Sequence, residues 1–225
     1  MKRLLQWLRR WALRFILSFV ALTVVLTLPL RWIDPVGSAF MLLDRLTTDH
    51  AIQHDWVPMA EISPNLALAV IAAEDQNFPR HHGFDLREIR AAVETHRQGG
   101  RLRGASTISQ QLARNLYLWP HRSWVRKGLE FWFTLPLELL LSKQRMLEIY
   151  LNVAEFGPGI YGAEAAAQFH FGKSASALTE HEAALLAAVL PAPKQFDASD
   201  PSPSLLERQR WIIGQMNNLG HDWLP

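Results

Sequence analysis

The sequence, 225 residues long, predicts a mostly α-helical protein, with one compact helical domain behind a single N-terminal transmembrane helix. Three observations carry that expectation. An uncharged run, Phe15 to Leu30, stands near the start; beyond it apolar residues recur at helical spacing between recognisable caps; and alternating strand patterns are scarce. The length suits one sizeable domain plus a short appendage, and no internal repeat or low-complexity segment interrupts it.

The appendage comes first. Arg14 and Arg31 flank the uncharged run with stems that can snorkel, and Trp11 and Trp32 stand where the membrane interfaces would fall. Residues 11–33 therefore make a span of about the length that a bilayer requires. Residues 1–10 are a short basic tail, and Lys2, Arg3, Arg9 and Arg10, with Arg14, place it in the cytoplasm by the positive-inside rule. Residues 34–225 then form a periplasmic domain on the inner membrane. A cleaved signal peptide is the alternative, but no clear small-x-small cleavage site follows the run.

Charge is distributed unevenly. Six of the 23 Lys and Arg precede Ile33, whereas all 21 acids follow it, so the body carries 17 bases against 21 acids. A net negative body argues against nucleic acid as a partner. Within it, Arg87 to Lys127 holds nine bases against only Glu88 and Glu94, a local cationic patch suited to phosphate or anionic headgroups, although a charge run is more often a solvated face. Cysteine is absent, which excludes disulfides and thiol chemistry.

After the anchor, Ser63-Pro64 opens a helix as cap and first-turn residue, with Leu66, Val70 and Ala73 on one face, and Pro79 closes it. Asp85 with Glu88 makes a capping box for a helix carrying Leu86, Ile89 and Val93, ended by Gly99-Gly100. Arg101 to Ala105 reads as an exposed, mobile connection. Thr107 with Gln110 caps a third helix to about Leu118. A fourth runs from Ser123 through Leu141, bent or broken at Pro136. It is apolar nearly all round, from Phe131 to Leu141, which fits either a core helix or partial immersion in the bilayer. Lys143 to Asn152 carries Met146, Leu147, Tyr150 and Leu151 at helical spacing; Thr179 with Glu182 caps a helix that Pro191 ends; Ser202-Pro203 opens the last, with Leu206, Ile213 and Met216.

Chemistry concentrates in three places. Glu74 and Asp75 close an otherwise apolar helical run, where the helix dipole and the adjacent like charge both disfavour an anion. A carboxylate so placed suits a general base, although two solvated residues leaving a helix would look the same. The third helix sets Thr107, Gln111 and Arg114 on one polar face, with Ile108, Leu112 and Leu116 on the apolar one; its N-terminus after Gly104 can receive phosphate oxygens, and Arg114 adds a planar phosphate donor. On the fourth helix Arg126 and Glu130 are four apart with Lys127 between them. An exposed pair of this kind is worth only a few tenths of a kcal/mol. Beside an apolar surface, however, Glu130 becomes a second candidate carboxylate, and two carboxylates with cations between them fit glycosyl chemistry.

Other apparent motifs fail. Gly157 to Gly162 matches a dinucleotide pattern but follows a helix where that motif needs a strand; His181-Glu182 lacks the second histidine of a zinc helix; and no Ser-x-x-Lys or Lys-Thr-Gly occurs, which removes transpeptidase chemistry.

Taken together, Glu74-Asp75-Gln76-Asn77-Phe78-Pro79-Arg80-His81, the run from Gly104 through Thr107, Gln111 and Arg114 to Asn115, Arg126-Lys127-Gly128-Leu129-Glu130, and Glu148 to Asn152 through Phe171-Gly172-Lys173 resemble the peptidoglycan glycosyltransferases. Order and spacing match over about Trp56 to Leu219, and with a lone anchor and no second catalytic domain the chain is most similar to the monofunctional biosynthetic branch. The resemblance implies a lysozyme-like domain that polymerises lipid II into linear glycan strands for the cell wall. By resemblance Glu74 would deprotonate the acceptor 4-hydroxyl, which attacks C1 of the donor sugar with inversion and expels undecaprenyl pyrophosphate. Arg114, Arg126 and Lys127 would bind the pyrophosphate, with Thr107, Gln111 and Asn115 lining the groove. Glu130 would hold those cations, or a divalent metal such as magnesium or manganese, in place, and Asp75, Phe78 and His81 would shape the first motif. No covalently bound cofactor is implied; the partners implied are lipid II, the growing strand, membrane lipid and other cell wall synthesis proteins. One position departs: residue 114 is Arg where the family pattern has Lys. Two rivals stand beside this reading. A lysozyme-like or lytic glycan-cleaving enzyme shares the fold and a single strong glutamate, but needs neither the cationic patch nor the apolar fourth helix nor the anchor. A non-catalytic glycan-binding scaffold would tolerate loss of Glu74.

Overall fold

The computed structural model describes residues 2–100 and 106–225, so the expected connection Arg101 to Ala105 lies outside the described residues. The chain is mostly helical, as the sequence predicts. Helix α1 (Lys2–Thr27) continues into a 3-10 turn (Leu28–Arg31). The stretch Arg3–Arg31 is long and apolar enough to cross a membrane. Its last turns sit on the domain: Thr27 Oγ1 lies 3.3 Å from the Tyr117 hydroxyl, and Arg31 donates to the Leu140 carbonyl. Arg145 fastens the junction, donating to the Leu30 carbonyl, Asp34 and Glu148 at 2.7–2.8 Å.

Helix α2 (Ala39–Thr47) follows, capped by Ser38. At the centre lies α3 (Pro64–Glu74), on which every residue from Leu66 to Ala72 is buried. The expected single apolar face is thus replaced by burial all round, because α9 (Glu180–Val189) and α10 (Pro203–Leu219) pack against it. Ser63 does not cap α3 with its side chain. Its hydroxyl donates instead to the Leu178 carbonyl at 2.9 Å, tying the helix start to the segment before α9. Nor does Pro79 end the helix: α3 stops at Glu74, and Asp75 turns to φ −162°.

Helix α4 (Leu86–Arg97) starts where the Asp85 carboxylate accepts from the Arg87 and Glu88 amides, but Leu86 and Val93, expected to face the core, are exposed. Helix α5 (Ile108–Tyr117) has the predicted capping box between Thr107 and Gln110. Helix α6 (Trp124–Leu140) runs as one helix through Pro136, which has no amide to donate to the Trp132 carbonyl one turn earlier. Its three faces differ. Arg126, Glu130, Thr134 and Leu137 point inward; Trp132 and Phe133 meet Phe19 of α1 at ring-centroid distances of 5.2 and 6.5 Å; Phe131, Leu135 and Leu139 remain exposed. Helix α6 is therefore part core and part open apolar surface.

Helix α7 (Lys143–Val153) leads into a small sheet that the sequence reading did not foresee. Strand β1 (Gln53–His54) pairs parallel with β3 (Ile160–Tyr161), which pairs antiparallel with β2 (Glu155–Gly157). Strands this short carry too few residues for an alternating pattern to register. The Gly157 to Gly162 segment is thus a β2–β3 hairpin leading into α8 (Ala163–Phe171), and it does follow a strand, if a short one. Gly162 has φ +88°, and a Cβ there would meet the Asn152 carbonyl oxygen at 2.7 Å. On α10 the buried face is Leu205, Gln209, Ile212 and Met216, one position off the expected Leu206 and Ile213, because packing against α9 and α3 decides which face turns inward.

Candidate active site

Where α3 ends, the chain splits its two carboxylates. Asp75 turns inward and accepts from His81 Nε2 at 2.8 Å and from the Ile108 amide at 2.9 Å, joining the end of α3 to the start of α5. The Gly83 amide donates to His81 Nδ1, so Nε2 carries the proton. Gly83 itself, at φ +86°, leaves no room for a Cβ, which would lie 2.8 Å from Thr134 of α6; its carbonyl accepts from the Thr107 hydroxyl at 2.7 Å. The first motif is thereby pinned to both α5 and α6. Glu74 points the other way, into a cleft of about 1360 Å³.

In the cleft both oxygens of Glu74 are engaged. Oε2 accepts from Gln111 Nε2 at 2.8 Å, and Oε1 lies 3.5 Å from an Arg208 guanidinium nitrogen. The orientation of the Gln111 amide is set from behind, because the Tyr150 hydroxyl donates to Gln111 Oε1 at 2.9 Å. Burial, with Glu74 nearby, pushes the Tyr150 phenol far above its ordinary value. The Glu74 carboxylate can only accept and so takes the amide nitrogen, while a phenol that keeps its proton can donate to the amide oxygen behind it.

The cations lie beside this carboxylate. Arg114 lines the cleft with its Nε donating to Asn115 Oδ1 and its guanidinium over the Phe40 ring of α2 at 5.6 Å. Burial lowers its pKa, while the Glu130 and Glu74 carboxylates act to raise it; a guanidinium remains charged regardless. Deeper, Glu130 is only 2% exposed. It accepts from Arg126 at 2.8 Å and from Lys127, whose ammonium also donates to Ser106 Oγ at the cleft edge at 3.0 Å. A buried carboxylate held by two cations is an anchoring device, with Lys127 41% exposed and facing outward.

Of the predicted site residues, Glu74, Asp75, Thr107, Gln111 and Arg114 line the cleft. Asn115, Arg126 and Glu130 are buried against it and support the lining. Phe78 is fully buried under Lys143, whose ammonium is 4.5 Å from its ring, and His81 borders a separate, smaller cavity. In the motif from Glu148 to Asn152, only Tyr150 reaches the site. Glu148 accepts from the Met59 amide, and Asn152 brackets Val57 with bonds of 2.9 and 3.0 Å, so both secure the segment around β1. The described residues contain no group of three or more His, Asp or Glu placed to hold a metal ion. Both oxygens of Glu130 are already taken by cations, so Glu130 does not fit the part of a ligand to a divalent metal.

Sequence reasoning missed the opposite wall. Glu207, Arg208, Trp211 and Gln215 of α10, with Trp223 beyond it, complete the cleft. The signal was present: Glu207, Trp211 and Gln215 recur every four residues on one face.

The chain is similar to proteins of one family along most of its length. The profile of a family described as Transglycosylase matches residues 41–217. A biosynthetic peptidoglycan transglycosylase of Pseudomonas syringae pv. tomato is 52% identical over 200 residues, covering 87% of this chain and 85% of the relative. One from Xanthomonas campestris pv. campestris is 53% identical over 199 residues, covering 86% and 81%. Another, from Pseudomonas entomophila, is 50% identical over 198 residues, covering 86% and 84%.

Proposed function

Because the chain belongs to the transglycosylase family, we propose that it is a membrane-anchored peptidoglycan glycosyltransferase in which Glu74 is the general base. The enzyme class follows from the family: a glycosyltransferase of peptidoglycan synthesis, with glycan polymerisation favoured over cleavage. The roles of individual residues are our reading, and one observation carries it. Glu74 is the cleft carboxylate whose two oxygens are both oriented, by Gln111 and Arg208, in the cleft that the half-buried cation Arg114 also lines.

In this reading the substrates are lipid II and the growing strand. Glu74 takes the proton of the acceptor 4-hydroxyl as its oxygen forms a bond to C1 of the donor sugar. The C1–O bond to the diphosphate breaks with inversion, and its electron pair leaves with the polyprenyl diphosphate. Arg114 meets that charge in the cleft, Lys127 at its edge, and Arg126 holds Glu130, which keeps Lys127 oriented. The Thr107 hydroxyl and the Thr107, Ile108 and Gln110 amides are already bonded within the protein, so Thr107 shapes the start of α5 and the cations alone meet the diphosphate. Inward Asp75 and His81 hold the α3–α5 corner that aims Glu74. The apolar α1 anchors the domain in the cytoplasmic membrane with its basic N-terminus inside and the cleft on the periplasmic side.

Incubating the detergent-solubilised protein with labelled lipid II and separating the products on a gel tests this. A ladder of strands is expected from the wild type and none from Glu74→Gln. Shortening of preformed strands without a ladder would overturn the reading. For the topology, a C-terminal reporter active only in the periplasm should give signal, and silence would reverse it.

A further inference from the structure

The α10 wall carries a feature that the transfer step does not use. Trp211 is 49% exposed, yet it lines the cleft and does not sit on the open apolar surface around α6. It follows Arg208 by three residues, about 4.5 Å of helical rise, so its indole stands roughly one turn from the group that touches Glu74. Polar side chains flank it at one turn on either side. Glu207 precedes it by four residues, and Gln215 follows by four, with its amide oxygen fixed by Gln76 Nε2 at 3.2 Å so that its amide nitrogen turns away from Gln76. A flat apolar face bordered by a carboxylate and an amide is the chemistry that recognises a pyranose, whose axial C–H face is apolar and whose rim is hydroxyl.

We propose that Trp211, with Glu207 and Gln215, forms a sugar-binding subsite that holds the glycan chain along α10, one ring away from the reacting hydroxyl. The proposal rests on the glycosyltransferase reading above and adds the ligand of a wall to which that reading gives no partner. Its ligand is the carbohydrate itself, independent of any lipid or diphosphate. Loss of the indole face should therefore weaken the hold on the chain without touching the base.

The test measures binding of short, lipid-free, uncrosslinked glycan chains to the full-length detergent-solubilised protein by surface plasmon resonance. Trp211→Ala should weaken binding about tenfold, and Trp211→Phe should keep most of it. Wild-type binding by Trp211→Ala would overturn the subsite. So would equal loss in the Ala and Phe variants, since a stacking face survives in only one of them. Melting temperatures of both variants accompany the measurement, and a Phe variant that melts like the wild type keeps the comparison valid. Should Trp211→Ala bind glycan normally but lose affinity for polyprenyl diphosphate, the wall serves the lipid and the proposal fails. The two readings separate cleanly: an active Glu74→Gln would remove the base assignment and leave the subsite standing.

Discussion

Replacing Tyr150 with Phe tests the chain of contacts behind Glu74 with minimal disturbance. The ring stays, so no cavity opens around a residue that is 1% exposed, and only one hydroxyl disappears. That hydroxyl is the donor to Gln111 Oε1 at 2.9 Å, and Gln111 is itself 9% exposed. An acceptor left buried without a partner costs about 2 kcal/mol. At roughly 2–4 °C per kcal/mol for a domain of this size, Tm should fall by about 4–8 °C in a thermal melt followed by circular dichroism. The catalytic effect is separate. Once nothing holds its oxygen, the Gln111 amide can rotate and set Oε1 against the Glu74 carboxylate, a repulsive contact in place of the 2.8 Å bond. Strand synthesis from labelled lipid II should slow about tenfold, ~1.4 kcal/mol in the barrier, in kcat more than in KM because Tyr150 touches no substrate. Unchanged Tm together with an unchanged rate refutes the whole chain of contacts. A lowered Tm with full activity would make Tyr150 a core residue only, and Gln111 orientation would then have another source.

The remaining expectations are briefer. Glu130→Gln strands the buried Arg126 without a counter-charge and should cost about 3 kcal/mol in urea unfolding, whereas Glu74→Gln, at the cleft surface, should leave stability nearly unchanged while abolishing the ladder. Arg114→Lys keeps the charge and loses the bond to Asn115; activity should be retained, and a complete loss would show that the planar guanidinium is required. Away from the cleft, burial pushes Glu155 up to about 7 from an ordinary 4.5, against the pull of Lys194 and with Asp44 adding to the rise. The folded state then binds more protons at Glu155 than the unfolded chain between those values, so this group's contribution to stability should decline as pH rises from about 4.5 to 7. Melting curves of Glu155→Gln against wild type across that window check the sign; a wild type that gains stability relative to the variant as pH rises contradicts it.

The sequence made legible whatever local chemistry decides. Thr107-Gln110 and Thr179-Glu182 form their capping boxes, and the end of α3 at Glu74 leaves a carboxylate facing the cleft. What it hid was decided by packing. The short helix α8 buries four alanines and His170 while Phe169 is exposed, so it carries no clear amphipathic stripe, and the strands of the small sheet are two or three residues long. Tyr150 looked like one more apolar residue on its helix, and only the fold shows that its hydroxyl reaches Gln111. Glu74 and Asp75, adjacent in sequence, differ in role because a single extended φ at Asp75 sends one carboxylate into the α3–α5 corner and leaves the other in the cleft.

Helix α6 joins two solvents across its own width. Arg126 holds the buried carboxylate on one side, while Phe131, Leu135 and Leu139 stand bare on the other, and a helix with its side chains is only about 10 Å thick. If the anchor spans a bilayer as proposed, the diphosphate can meet its cations while the hydrocarbon tail attached to it stays in lipid. Release of the spent carrier is then a sideways diffusion within a plane, with no passage of the tail through water. The traffic of substrate and product would be governed by crowding per unit of membrane area, so that blank lipid dilutes this enzyme's supply where added buffer does not.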